Sequence, residues 1–264
     1  MSFELGAAKL GIKEAAVWKF DMLVWIIISL VSLGTYYLLW TAVYGFSGQG
    51  VIAGYSLREL ITYFVLSEIV QTLTWTSIIM DLSQKIRRGT LITQLARPIN
   101  FLYYHFWMNF GSRGLQFLIY CIPMVLIGAL LFGMKFTGWT NLALFSASAG
   151  LAMVLNFALS AFIALGAFWL TSYHGIRWAY MGLFSIFSGF IFPLTFFPQF
   201  WQKVFSFLPF QYIIFVPVQT YLGKYGIFGA LGNMLIQIVW IIILMTAISF
   251  IWRRAMKSFT APGG

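Results

Sequence analysis

Few residues of this chain are of a type that could carry out chemistry. The 264 residues include two histidines and six acidic residues. His105, His174 and these carboxylates show no metal-ligand spacing, and no serine nucleophile motif is present. Gly223-Lys224-Tyr225 lacks the upstream glycine and the following hydroxyl of a phosphate-binding loop. We therefore predict no catalytic residue, no metal site and no cofactor bound by this chain.

Glu68 is the one carboxylate that lies deep inside an apolar segment. At about 1.5 Å per residue from Leu57, it lies about 17 Å along that segment, near the middle of a bilayer. A carboxylate at this depth must be paired, protonated or hydrated. Three environments stay open: an ion pair with Arg113, a wet cavity or subunit interface shared with Gln71, and a protonated carboxyl bonded within the helix bundle.

A basic segment, residues 81–100, separates two long apolar runs. Its basic residues are Lys85, Arg87, Arg88 and Arg97. Gly89 permits a sharp change of direction, Thr90 can cap a short helix over residues 91–96, and Pro98 ends that helix. Basic loops between spans face the cytoplasm. The pattern predicts a short cytoplasmic helix that lies parallel to the membrane.

The composition indicates an all-α integral membrane protein that forms one domain over residues 1–264. Hydrophobic residues make up 61% of the chain and charged residues 8%, against about 25% charged in globular domains. A helix needs roughly 20 apolar residues to cross the hydrocarbon core. We predict six transmembrane helices, over residues 22–46, 60–80, 104–134, 142–170, 178–192 and 230–252. The second is predicted to start at Leu57 and to continue unbroken as a polar helix to Arg88.

The net charge of +10 is distributed unevenly between the loops. With both termini in the cytoplasm, twelve basic residues lie on or toward the inner side. The four on the outer side are Arg58, Lys135, Lys203 and Lys224. This asymmetry predicts cytoplasmic N and C termini, and attraction to anionic lipids explains the charge without nucleic acid.

Two further segments are predicted to lie at the membrane surfaces. Residues 1–21 carry a rough apolar stripe that indicates an amphipathic interfacial helix. Residues 193–217 contain four of the seven prolines, which exclude one continuous span there. Between Pro198 and Pro209, the apolar face includes Phe200, Trp201 and Phe205. This pattern predicts a re-entrant outer hairpin between spans five and six.

The order of these features resembles the permeases of ABC-2 type ABC exporters. Residues 89–99 resemble a G-x-L-x-x-x-L-x-R-P-[IL] pattern that follows the second span. Phe197-Pro198, Leu208-Pro209-Phe210 and Pro217 resemble the outer hairpin of the same group. The resemblance covers essentially the whole chain.

The resemblance implies the membrane subunit of an exporter in a bacterial plasma membrane. Its implied partners are cytoplasmic ABC ATPase subunits, which bind the ATP and Mg²⁺, and a second permease, identical or different. The implied ATPase-coupling residues are Arg87, Arg88, Gly89, Leu91, Leu95, Arg97 and Pro98. From the residues themselves, Glu68, Gln71 and Arg113 are candidates for the translocation path, and residues 193–217, with Phe200, Trp201 and Phe205, are predicted to cap its outer end.

Two other classes of protein remain open at this stage. A secondary transporter or channel would place several ionisable groups within its spans, where only Glu68 is clearly deep. A membrane-embedded enzyme would need histidines or carboxylates clustered at one membrane face. The sequence favours the exporter permease over both.

Overall fold

The computed structural model describes residues 3–17, 19–91, 100–168 and 173–258, which are all-α. The α-helices of these residues are α1 (Phe3–Val17), α2 (Lys19–Ser47), α3 (Leu57–Thr74), α4 (Ile78–Arg87), α5 (Phe101–Phe132), α6 (Trp139–Ala164), α7 (Tyr173–Phe187), α8 (Gln199–Ser206), α9 (Phe215–Tyr221) and α10 (Gly226–Ser258). Short 3-10 helices cover Leu165–Phe168, Leu194–Phe196 and Phe210–Tyr212. The predicted all-α class is confirmed.

Four helical segments of the described chain are long and apolar enough to cross a membrane. They are Leu23–Ser47, Phe101–Phe132, Trp139–Phe168 and Gly226–Ala255. The predicted second and fifth spans correspond to α3 and α7, which have 18 and 15 residues and are not among these four segments. The six-span topology therefore stays a prediction.

Helices α3 and α6 form the core of the bundle. In the most apolar part of α6, 67% of the residues are buried, against 17–22% in the three other long segments. Leu60, Ile61, Val65 and Val70 of α3 are fully buried. The outer faces of α2, α5 and α10 are left apolar and exposed, as expected for surfaces in contact with lipid.

Local capping sets where the core helices begin. Ser56 and Glu59 form a capping box at the start of α3, in which each side chain bonds the backbone N–H of the other. The Asn100 side chain accepts from the Leu102 and Tyr103 N–H groups at the start of α5. These caps bound α3 and α5 at the ends of the apolar runs.

The N-terminal helix α1 packs directly on α5. A Cβ atom at Gly11 would lie 1.9 Å from the Met108 carbonyl oxygen, and one at Gly111 would lie 2.0 Å from the Ala8 carbonyl oxygen. The two backbones are therefore in contact. Leu10, which belongs to the predicted apolar stripe, is 51% exposed, so this part of the stripe faces away from the bundle.

Residues 193–217 fold as a chain of short helices. α8 begins directly after Pro198 and includes Phe200, Trp201 and Phe205, as the proline spacing predicts. Phe205 is 2% exposed, whereas Phe200 and Trp201 are 68% and 48% exposed. The Gln202 amide nitrogen donates to the Phe197 carbonyl oxygen at 2.7 Å and holds α8 against the preceding turn.

The prediction of one unbroken helix from Leu57 to Arg88 is wrong. The helix is interrupted at residues 75–77, and α4 begins at Ile78. The apolar run predicted continuity, but residues 72–77 alternate hydroxyl side chains with apolar ones. After this break, α4 packs against α6 and α7.

Candidate functional site

Hydroxyl side chains surround the break between α3 and α4. The Thr76 hydroxyl accepts a hydrogen bond from the Ile78 N–H at 3.3 Å, and the Ser77 hydroxyl donates to Asp81 at 2.7 Å. Such local bonds compete with the helical backbone ladder. Carbonyl groups at a helix end have no partner within the helix and need one elsewhere when they are buried. The break therefore requires polar neighbours.

A buried polar network satisfies the Thr74 carbonyl at the end of α3. The Asn156 amide nitrogen on α6 donates to this oxygen at 2.8 Å. The Tyr180 hydroxyl on α7 donates to Asn156 Oδ1 at 2.6 Å, and Ser160 donates to the Tyr180 oxygen at 3.3 Å. Three helices are thus connected at the break. Sequence reasoning missed these residues, although Asn156 is a rare amide in the fourth apolar segment.

One cavity opens beside this network, and we call it the Arg177 cavity. Its volume is about 220 Å³. It is lined by Gln71, Trp75, Thr76, Ser77, Ile79, Met80, Asn156, Ser160, Arg177, Tyr180, Met181, Phe184 and Ser185. Arg177 is the only charged residue among these lining residues. The cavity therefore combines one positive charge with neutral polar groups and apolar walls.

A second cavity lies on the other side of the break, and we call it the Arg113 cavity. Its volume is about 260 Å³, and it shares Thr76 and Ser77 with the first. Its other lining residues are Glu14, Ala15, Ile78, Asp81, His105, Met108, Asn109, Ser112, Arg113, Gln116 and Phe157. Arg113 donates from Nη1 to Gln116 Oε1. This cavity already contains charges of both signs.

Lys85 joins α4 to the start of α5 beside the Arg113 cavity. Its Nζ atom lies 2.9 Å from His105 Nε2 and 5.0 Å from the centre of the Phe101 ring. Burial lowers the pKa of Lys85, and the nearby carboxylates of Asp81 and Glu14 oppose that shift. The Lys85 contacts thus connect the end of α4 to the start of α5.

The three residues predicted to lie on a translocation path occupy three different places. The Tyr120 hydroxyl donates to Glu68 Oε2 at 3.3 Å. Gln71 lines the Arg177 cavity, and Arg113 lines the Arg113 cavity. The predicted alternative of a Glu68–Arg113 ion pair is wrong, because Arg113 bonds Gln116 instead. The geometry of Glu68 matches the alternative of a local bond within the bundle.

The predicted ATPase-coupling segment is described only in part. Arg87 ends α4, Arg88 is exposed, and Gly89 has a φ of +68° that permits the predicted turn. Leu91 has 0% exposure, and its part in coupling to an ATPase stays a prediction. Its apolar side chain belongs to the core of the chain itself. Leu95, Arg97 and Pro98, with residues 92–99 as a whole, lie outside the described residues.

A charged cluster holds together the opposite end of the bundle. Glu59 accepts from Lys135 Nζ at 3.2 Å and from Lys224 Nζ at 3.3 Å. Lys224 also donates to the Gly54 carbonyl oxygen at 2.9 Å. Partial burial opposes ionisation of Glu59, but the Ser56 N–H and the two ammonium groups lower its pKa to about 2. The cluster connects the segments before α3, after α5 and before α10.

Comparison with families of known proteins identifies a match. The family described as ABC-2 family transporter protein matches residues 30–263, which is most of the chain. No curated protein matches the chain at a significant level.

Proposed function

Because this chain belongs to the ABC-2 family of transporter proteins, we propose that it is the permease subunit of an ATP-driven exporter. In this proposal the chain lies in a bacterial plasma membrane with both termini in the cytoplasm. It forms half of a translocation path together with a second permease. A separate cytoplasmic ABC ATPase binds ATP and Mg²⁺ and carries out the hydrolysis.

The family match over residues 30–263 carries the proposal. The family is a membrane transport component and is not itself catalytic, and the long apolar helices agree with a multi-pass membrane protein. The lack of a phosphate-binding loop in the sequence supports an ATPase on another subunit. Family membership also favours this function over a secondary transporter or channel.

The position of α4 supports a route for coupling. In the proposed orientation, the basic segment 81–100, which begins within α4, lies on the cytoplasmic side. Its first turn lines both cavities, because Ile79 and Met80 face one and Ile78 and Asp81 face the other. A displacement of α4 by the ATPase would therefore change both cavities together.

Copurification tests the proposed partner. The tagged chain is coexpressed with a candidate ABC ATPase from the same genome, and the ATPase retained per permease is measured. We expect retention by the wild type and a loss of about tenfold in an Arg88→Glu, Arg97→Glu variant, because reversing two positive charges at one interface costs at least about 1.4 kcal/mol. Arg253→Glu, an exposed charge on α10, is the matched control and should retain the ATPase.

The two parts of the proposal fail in different ways. No retention of the ATPase by the wild-type chain, combined with no stimulation of ATP hydrolysis in proteoliposomes, would contradict the exporter function. Full retention by the double variant would contradict only the coupling role of the basic segment. Leu91→Asp is unsuitable here because Leu91 is fully buried, and its loss of function would report misfolding.

A further inference from the structure

The Arg177 cavity has a positive charge that no acidic side chain of the described residues neutralises. The ion pairs among the described residues are formed by Glu59, at the other end of the bundle. None of the six acidic residues lines this cavity. The Arg177 guanidinium lies 5.9 Å from the centre of the Trp178 ring. An arginine in a partly apolar wall attracts an anion, and its planar guanidinium matches phosphate and carboxylate oxygens.

The same cavity has an acceptor without a donor. The Oε1 atom of Gln71 is buried and has no hydrogen-bond partner within the described part of the chain. A buried acceptor that lacks a partner is costly. Asn156 and Tyr180, by contrast, are already paired with each other. A ligand that presents a hydroxyl group to Gln71 would remove this cost.

Part of the remaining wall is apolar. Trp75, Met181 and Phe184 line the cavity together with the polar residues. Its volume of about 220 Å³ is below the range of about 300–1,000 Å³ that encloses a drug-sized ligand. The space therefore suits a head group and the start of its apolar stem, while the rest of the stem stays outside, between the helices or in the lipid.

We infer that the Arg177 cavity binds the head group of an anionic amphiphile that also carries a hydroxyl group, such as a polyol phosphate ester. Arg177 binds the anionic group, Gln71 accepts from the hydroxyl, and Trp75, Met181 and Phe184 contact the apolar stem. Basic pockets between membrane helices bind anionic head groups in this way. The role of this ligand as cargo rests on the proposed permease function, whereas its binding does not.

Binding is measured on the full chain in neutral detergent by native mass spectrometry, without an ATPase. The probes are short-chain phosphatidylglycerol, phosphatidylmethanol, which keeps the charge but lacks the diol, and zwitterionic phosphatidylcholine. We expect Arg177→Gln to weaken binding of both anionic lipids by about tenfold or more, since a charged hydrogen bond is lost. Gln71→Leu should weaken phosphatidylglycerol alone, by about fivefold. Arg253→Gln is the control for general surface charge.

The result that overturns the inference is specific. Equal binding by wild type and Arg177→Gln, or equal losses in Arg177→Gln and Arg253→Gln, would show that Arg177 holds no head group. Displacement of the lipid by soluble glycerol phosphate at the same concentration would overturn the inference that the ligand is an amphiphile. It would assign the site to a free polyol phosphate. Preserved binding with failed transport would count against the proposed function and leave the site intact.

Discussion

At the scale of single residues, Glu59 shows how one carboxylate can hold three separate segments. It accepts hydrogen bonds from the Ser56 N–H and from the ammonium groups of Lys135 and Lys224. These lysines are 76 and 165 residues away in the sequence. These contacts are stronger when Glu59 is ionised, so the stability of this end of the bundle depends on pH.

Replacing Glu59 with Gln tests this contribution. Gln can also serve in the capping box, so the variant removes mainly the charge. A lowered pKa stabilises the folded state fully above the ordinary value of 4.5, and the contribution is lost as the pH falls from there to about 2. We expect a loss of about 1 kcal/mol at pH 7, the scale of partly exposed ion pairs, and a smaller loss at pH 3. The losses at pH 7 and at pH 3 are measured as decreases of Tm in detergent relative to the wild type.

The control for this experiment is Asp21→Asn, which removes an exposed carboxylate on α2. It should change Tm little at either pH. An equal loss of Tm at pH 7 and pH 3 in Glu59→Gln would mean that the ion pairs contribute nothing measurable.

At the scale of the helices, the contact between α1 and α5 depends on two glycines. Gly11 and Gly111 each face a backbone carbonyl of the other helix at a distance that no side chain fits. Close backbone approach of this kind increases van der Waals contact between the helices. Such contact matters in a membrane because the hydrophobic effect does not drive helices together there. The buried small residues Ala7 and Ala15 extend the same face of α1.

Gly111→Ala should therefore separate α1 from α5. Its Cβ would lie 2.0 Å from the Ala8 carbonyl oxygen, and overpacking of this kind costs about 1–3 kcal/mol. Gly114→Ala is the matched control, because no atom lies within 4 Å of its Cβ position on the same helix. The measurement is Tm in detergent for both variants. Equal Tm values for the two variants would refute the close contact.

The helices that could be predicted are those whose limits are encoded locally. Pro198 and the apolar spacing after it predicted α8, because proline starts a helix and excludes a longer one. The break at residues 75–77 was not predicted, because the apolar run continues across it. Its cause includes the Asn156 bond to the Thr74 carbonyl, from 82 residues away. Likewise, the sequence alone could not reveal that Glu68 bonds Tyr120 and not Arg113.

At the scale of the whole molecule, α3 and α4 together match the length of α5. Glu59, at the start of α3, contacts Lys135 just after the end of α5. Lys85, near the end of α4, contacts His105 near the start of α5. The 32-residue helix α5 is long and apolar enough to cross a membrane. The broken pair α3–α4 runs antiparallel to it over the same distance, and we therefore expect the pair to cross in two pieces.

Single-cysteine labelling decides between a crossing and a non-crossing α3–α4 pair. In a Cys121→Ala background, cysteines are placed at the exposed positions Arg88 and Thr140, and an impermeant thiol reagent is added to intact cells. If α3–α4 crosses, Thr140→Cys reacts outside and Arg88→Cys reacts only after permeabilisation. If α3–α4 does not cross, the two positions exchange sides, because α5 separates them and α2 alone precedes them. Lys203→Cys and Arg253→Cys are the outer and inner controls, since α10 separates them under either topology. Labelling of Arg88→Cys in intact cells, with Lys203→Cys labelled and Arg253→Cys protected, would exclude the six-span arrangement.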